Sequence, residues 1–220
     1  MTEDGSDEPL SSEIRALLGH YPSFEHIMGD DGLAVVQGDL EILADGRFID
    51  TFSIRIELLP PYPEVVPKVY ETAGKIPRIA DRHINPDGSA CLFVPDARWK
   101  HWPVGRSLVE FVSSPVYYFF LSQAFFELEG KWLFGERPHG DDGVIDYYKE
   151  ELGLEKLDHV YQCIELATIP SITQSKLRAP CVCGSNMPLE SCHSSQIDRI
   201  ANSVPYQRLL EVMGMIRRQQ

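Results

Sequence analysis

Apolar and polar positions alternate with period two through residues 52–58, with Phe52, Ile54, Ile56 and Leu58 on one face and Ser53, Arg55 and Glu57 on the other. That period predicts a strand with one buried face. The run stops at Pro60-Pro61-Tyr62-Pro63, because proline cannot donate to a ladder. Residues 33–43 read as a preceding strand, with Asp45-Gly46 as the turn between them, and residues 68–72 as a short following one. Together these predict an antiparallel meander. Ahead of it, Ser11 or Ser12 can cap a helix carrying Ile14, Leu17 and Leu18.

Regular periodicity is lost from Gly74 to Gly105, where four prolines and two tryptophans surround Cys91. A loop this long inside a compact domain is generally functional or disordered, and its aromatic content argues for packing. Residues 107–128 then read as a long apolar helix, with Ser107 and Glu110 forming a capping box and Pro115 imposing a kink or a late start. A second polar loop covers residues 132–143. Helices are expected over 144–152 and 155–167, and an amphipathic one over 204–218. The expected organisation is an acidic, disordered start over 1–10, a domain over 11–167, a linker over 168–180 and a small module over 181–220.

Charge and cysteine usage narrow the function classes. The formal charge of −13 over 220 residues argues against nonspecific binding to nucleic acid or to an anionic membrane surface. The longest apolar run, residues 116–126, is too short to span a bilayer. The first eight residues lack the basic and apolar regions of a signal peptide. Five cysteines cannot all pair within one chain, and three of them fall within twelve residues. That distribution fits a reducing compartment, one metal site and free thiols, so the expected localisation is cytoplasmic.

A lone cysteine is ordinarily a small buried apolar residue. Cys91 differs in context, because it follows the turn-forming Asp87-Gly88 in an irregular loop that also holds His83 and Asn85. A thiolate is the reactive form of cysteine, and an asparagine amide is a neutral donor suited to a developing oxyanion. The ordered set of Tyr62-Pro63, Pro67, His83-Ile84-Asn85, Gly88 and Cys91-Leu92, preceded by the strand at Phe52, resembles the ubiquitin-conjugating fold. That family carries a Tyr-Pro turn, a His-Pro-Asn motif and a Gly-x-x-Cys-Leu active site, followed by a tryptophan for which Trp99 or Trp102 stands here. Ile84 replaces the proline of the His-Pro-Asn motif. The segment with His139-Gly140 and Gly143 is more similar to bacterial ubiquitin-conjugating-like proteins, some of them encoded in antiphage operons.

The resemblance implies an α+β fold, a ubiquitin-conjugating-like antiparallel meander sheet with flanking helices. It also implies that Cys91 accepts the C-terminus of a ubiquitin-like protein, as a thioester, from an activating enzyme. A target amine then attacks while the Asn85 amide supports the oxyanion. His83 is expected to hold the loop, and His139 is a polar residue able to approach Cys91. Two other readings compete. One is a noncatalytic binding module of the same fold; the other is a cysteine hydrolase using His139 or His83 as base.

Cys181-Val-Cys183 and Cys192-His193 offer four ligands within thirteen residues, the set that structural zinc takes tetrahedrally. The spacing, with Gly184-Ser185 after the first pair, is similar to a SEC-C zinc motif. A small zinc-binding module closed by all four ligands is expected, and it would dock rather than catalyse. Cys163, in an apolar helix, is expected to be core.

Overall fold

The computed structural model describes residues 7–103, 105–136 and 138–220, with side chains from Leu10 onward. The chain forms two compact units, residues 1–136 and 137–220. No helix among the described residues is long and apolar enough to cross a membrane.

The first unit is an α+β assembly. Helix α1 (Asp7–His20) precedes strands β1 (Phe24–Met28), β2 (Ala34–Ala44), β3 (Arg47–Leu58) and β4 (Lys68–Glu71). They form one antiparallel sheet in the order β1-β2-β3-β4, so the expected meander is present. Phe52, Ile54, Ile56 and Leu58 are all buried, whereas Ser53, Arg55 and Glu57 alternate with them on the partly exposed face. Two expectations need correction. The helix begins at Asp7 rather than near Ser11, while the acidic start up to residue 6 lies outside the described residues. The strand β1 was not expected, because only Phe24 of its five side chains is buried. It is admitted by Gly38, which pairs with Phe24 at a place where a Cβ would lie 2.5 Å from the Ser23 carbonyl oxygen.

After a short helix α2 (Arg98–His101), helices α3 (Leu108–Phe111) and α4 (Tyr117–Glu129) are joined by a π-helical stretch, Val112–Val116. Pro115 sits inside that stretch, so the expected kink takes the form of a widened turn that tolerates the missing N–H. The capping box is present. Glu110 N–H donates to Ser107 Oγ, and Ser107 N–H donates to Glu110 Oε2. Glu13 on α1 accepts from Leu108 N–H at 2.7 Å, satisfying another orphan donor of the same terminus.

Helices α5 (Gly140–Leu152), α6 (Leu157–Ala167), α7 (Gln174–Leu177), α8 (Ser194–Ser203) and α9 (Tyr206–Arg218) make up the second unit. The sequence grouped 144–167 with the first domain and left 181–220 too small for a core of its own. In the structure α5 and α6 instead pack on α8 and α9. Tyr148, Leu152, Val160, Ile164, Ile197 and Val212 are buried between these helices. The physical reason is that α5 and α6 each carry an apolar stripe, and the amphipathic α8 and α9 supply the faces that cover it. Cys163 is fully buried, as expected of a core residue.

Candidate functional site

The long loop of the first unit is packed, not open. Ile76, Ile84, Ala90 and Trp102 belong to the same apolar core as β3 and α4. Trp102, rather than Trp99, is the buried tryptophan. Its ring lies against Tyr62 and Phe111, and its indole N–H donates to the Pro63 carbonyl at 2.6 Å. The proline-rich turn and the loop carrying Cys91 are thereby tied to one anchor.

Cys91 ends a small hairpin. Ile84 and Ala90 form an antiparallel bridge, with Asn85 N–H donating to the Ser89 carbonyl and Cys91 N–H to the His83 carbonyl, each at 2.8 Å. Ile84 and Ala90 are buried beneath it. At the turn Gly88 takes a positive φ, and Asp87 Oδ1 accepts from Ser89 N–H at 3.0 Å, an Asx turn. The structure therefore brings His83, Asn85 and Cys91 into one element. His139 belongs to the other unit, where it precedes α5.

The side chains in this hairpin are differently engaged. Asn85 Nδ2 donates to Ser89 Oγ at 3.0 Å. His83, in the left-handed region at φ 52°, stacks edge-on against Trp132 with ring centroids 4.9 Å apart. Cys91 is half-buried and burial pushes its thiol pKa up. His101, stacked on Phe93 at 4.6 Å, is pushed down by burial and, less, by Arg106 and Lys100.

Sequence reasoning missed the clamp that holds the start of the hairpin. Arg82 is buried, and its Nε and Nη2 donate to Gln123 Oε1 at 3.1 and 2.9 Å. Gln123 Nε2 donates back to the Arg82 carbonyl, Glu127 pairs with the guanidinium, and Phe126 lies 4.7 Å from it. Arg82 is the residue immediately before His83, so α4 fixes the hairpin at its root. The pairing of a loop arginine with a glutamine forty-one positions later leaves no local signal.

The second unit contains a cluster of side chains that could hold a metal ion. The ligand atoms of Cys181, Cys183, Cys192 and His193 all lie within 4.8 Å of one another. His193 Nδ1 is 3.3 Å from Cys181 Sγ and 3.1 Å from Cys192 Sγ, and Cys183 Sγ is 3.5 Å from Cys192 Sγ. Ligand bonds of about 2.0–2.3 Å in a tetrahedron imply edges of about 3.3–3.8 Å, between these short contacts and the 4.8 Å limit, so the set fits a metal ion after small adjustments of the side chains. His193 Nε2 lies 3.0 Å from the Leu152 carbonyl, an arrangement that puts the proton on Nε2 and leaves Nδ1 as the ligand atom. The amides of Cys183 and Ser185 hydrogen-bond to the sulfurs of Cys181 and Cys183. Gly184, at φ 80°, makes the tight reversal between them. Burial, with the three cluster thiols adding to it, pushes Cys163 up to about 12.

No family model and no curated protein matches the sequence. Among solved structures the chain is similar to the yeast vps23 UEV domain in complex with a vps27 PSDP peptide, at 16% identity and a TM-score of 0.38, over 52% of this chain and 81% of that one. It is also similar to the Vps23 UEV in its complex with ubiquitin, at 15% identity and a TM-score of 0.35, over 50% and 79% of the two chains.

Proposed function

We propose that this chain is a ubiquitin-conjugating-like cysteine transferase that carries a ubiquitin-like protein, or another protein's C-terminus, as a thioester on Cys91. The observation that carries the reading is the Cys91 hairpin, which joins the nucleophile to His83 and Asn85 on one rigid support. In the loading step the Cys91 sulfur attacks the thioester carbonyl on an activating enzyme, whose own thiol leaves. In the transfer step a target amine attacks the Cys91 thioester, the C–S bond breaks, and an amide forms. The amine's proton passes to solvent or to the departing thiolate. Asn85 has two amide protons, and one of them is free of Ser89 to support the oxyanion. A donor of this kind is commonly worth on the order of a hundredfold in rate.

Carriage is favoured over hydrolysis by the state of the thiol. Burial is the cause acting on Cys91, and it raises the pKa, whereas a hydrolase nucleophile is activated by a base at hydrogen-bond distance. For the second unit we propose a structural zinc ion on Cys181, Cys183, Cys192 and His193. Four protein ligands leave no open position, so the ion would supply folding energy rather than chemistry. Cytoplasmic residence and a role in antiphage defence remain part of the same proposal, carried by the sequence resemblance.

The test uses the full chain with a candidate activating enzyme, ATP and modifier. The wild type should form an adduct that thiols cleave, and Cys91→Ala should form none. An adduct retained in Cys91→Ala and mapped to Cys163 overturns the assignment. A wild type that binds the modifier but never forms the adduct would instead be a noncatalytic binding module.

A further inference from the structure

Asn85 is one end of a hydrogen-bond chain that runs through the hairpin turn to β4. Ser89 Oγ donates to Asp87 Oδ1 at 2.6 Å, and Lys68 Nζ on β4 donates to Asp87 Oδ2 at 2.7 Å. A hydroxyl has one proton. Because that of Ser89 is given to Asp87, the oxygen of Ser89 can only accept from Asn85. The nitrogen of the Asn85 amide must then face Ser89, and its oxygen cannot. Ser89 is buried, which keeps water from supplying an alternative partner.

From this chain we infer that Asp87 and Ser89 are positioning residues, which select one of the two amide orientations of Asn85 for the transfer step at Cys91. The inference rests on the proposed transferase reading. The two orientations differ by a half-turn about the last side-chain bond. In the inferred arrangement the orientation held by Ser89 is the one that offers its second N–H to the reacting carbonyl, and the other would present the amide oxygen and repel the oxyanion. Without the relay both orientations are populated, and the donor must be selected anew at each turnover. Preorganised donors are effective because that cost is already met in the fold. Lys68 and Ser89 hold the Asp87 carboxyl well below the usual carboxylate range, so the acceptor stays ionised at neutral pH. The Lys68–Asp87 pair is itself solvent-exposed, and Lys68 is the least important member.

The experiment is single-turnover discharge of the preformed Cys91 thioester to free lysine. Ser89→Ala should slow discharge about tenfold, with a smaller change in the rate of loading. Asp87→Asn should fall between Ser89→Ala and wild type, and Lys68→Ala closest to wild type. The decisive arm is a double-mutant cycle: on an Asn85→Ala background, Ser89→Ala should slow discharge no further. A merely structural role for Ser89 would slow it again, and that result overturns the inference while leaving the transferase reading intact. Side-chain amide exchange of Asn85, followed by NMR on the unloaded protein, provides a readout that needs no conjugation. It should accelerate in Ser89→Ala while the Cys91 N–H keeps its protection. Unchanged Asn85 exchange overturns the inference even if no thioester ever forms.

Discussion

The proposed reading gives sulfur two purposes in this chain, and the two sites differ in how they are built. In the second unit three thiols and an imidazole converge within 4.8 Å, and backbone amides point at two of the sulfurs. Burial opposes ionisation of Cys183, but hydrogen bonds from Ser185 and the neighbouring thiols carry its pKa down to about 6. Cys91 has no such company, and burial alone acts on it, raising its pKa. Metal ligands must be deprotonated to bind and are stabilised as a set, so crowding is their asset. A thiol that must hand over an acyl group needs a carbonyl to reach it and no competing sulfur to receive its cargo. The difference between the sites is therefore one of isolation against convergence.

Removing the metal should break the comparison most visibly. The cluster ties Pro180 and Pro188, which form a bridge, to the Leu152 carbonyl through His193. Apparent zinc affinities in small domains correspond to about 10–16 kcal/mol, comparable to the whole stability of an ordinary domain. Chelation, or Cys192→Ala, should strip the ion and increase hydrogen exchange across α5, α6, α8 and α9. The first unit, whose apolar core runs from Ile14 to Ala124, should keep its protection. Exchange in α6 and α9 that is unchanged after verified metal loss would show that the helices need no ion.

The converse lesion lies in the first unit. Trp102→Ala removes a buried ring and its bond to Pro63, and should cost about 3–5 kcal/mol. Trp102→Phe keeps an aromatic ring but leaves the Pro63 carbonyl without its donor, at about 1–3 kcal/mol. Denaturant unfolding monitored by probes in each unit should show the first transition moving and the metal-bound one staying. Equal costs for the two variants would mean that the hydrogen bond, not the ring, anchors the turn.

What the sequence made legible follows from how local each signal is. The alternation at Phe52–Leu58, the Ser107–Glu110 capping box and the crowding of Cys181, Cys183, Cys192 and His193 are all short-range, and each has its counterpart in the structure. Strand β1 escaped because four of its five side chains are at least partly exposed, which erases the alternation. The unit boundary differs from the one expected because an apolar stripe on α5 or α6 shows that a partner exists, not which segment provides it. The hairpin's supports divide in the same way. Asp87, Gly88 and Ser89 sit together in the sequence as a turn, while Arg82, Gln123 and Glu127 meet only through the fold.

The smallest expected effect is also the sharpest test of isolation against convergence. In the metal-loaded protein the cluster thiols are occupied and Cys163 is fully buried, so iodoacetamide should alkylate Cys91 ahead of the other four cysteines. The rate should be modest, because only the thiolate reacts and a raised pKa leaves little of it at neutral pH. Each unit of pH below the pKa costs about a factor of ten in thiolate, so the logarithm of the Cys91 rate should climb linearly past pH 8.5, roughly the value of a free thiol. A cysteine activated by an imidazole or a helix terminus would level off much earlier, between about pH 3.5 and 7.5. Peptide-resolved mass spectrometry across a pH series separates the two shapes, and a plateau below pH 8 would return Cys91 to the hydrolase reading. Chelation then supplies the internal contrast. It should expose Cys181, Cys183 and Cys192 to the reagent while leaving the Cys91 profile where it was.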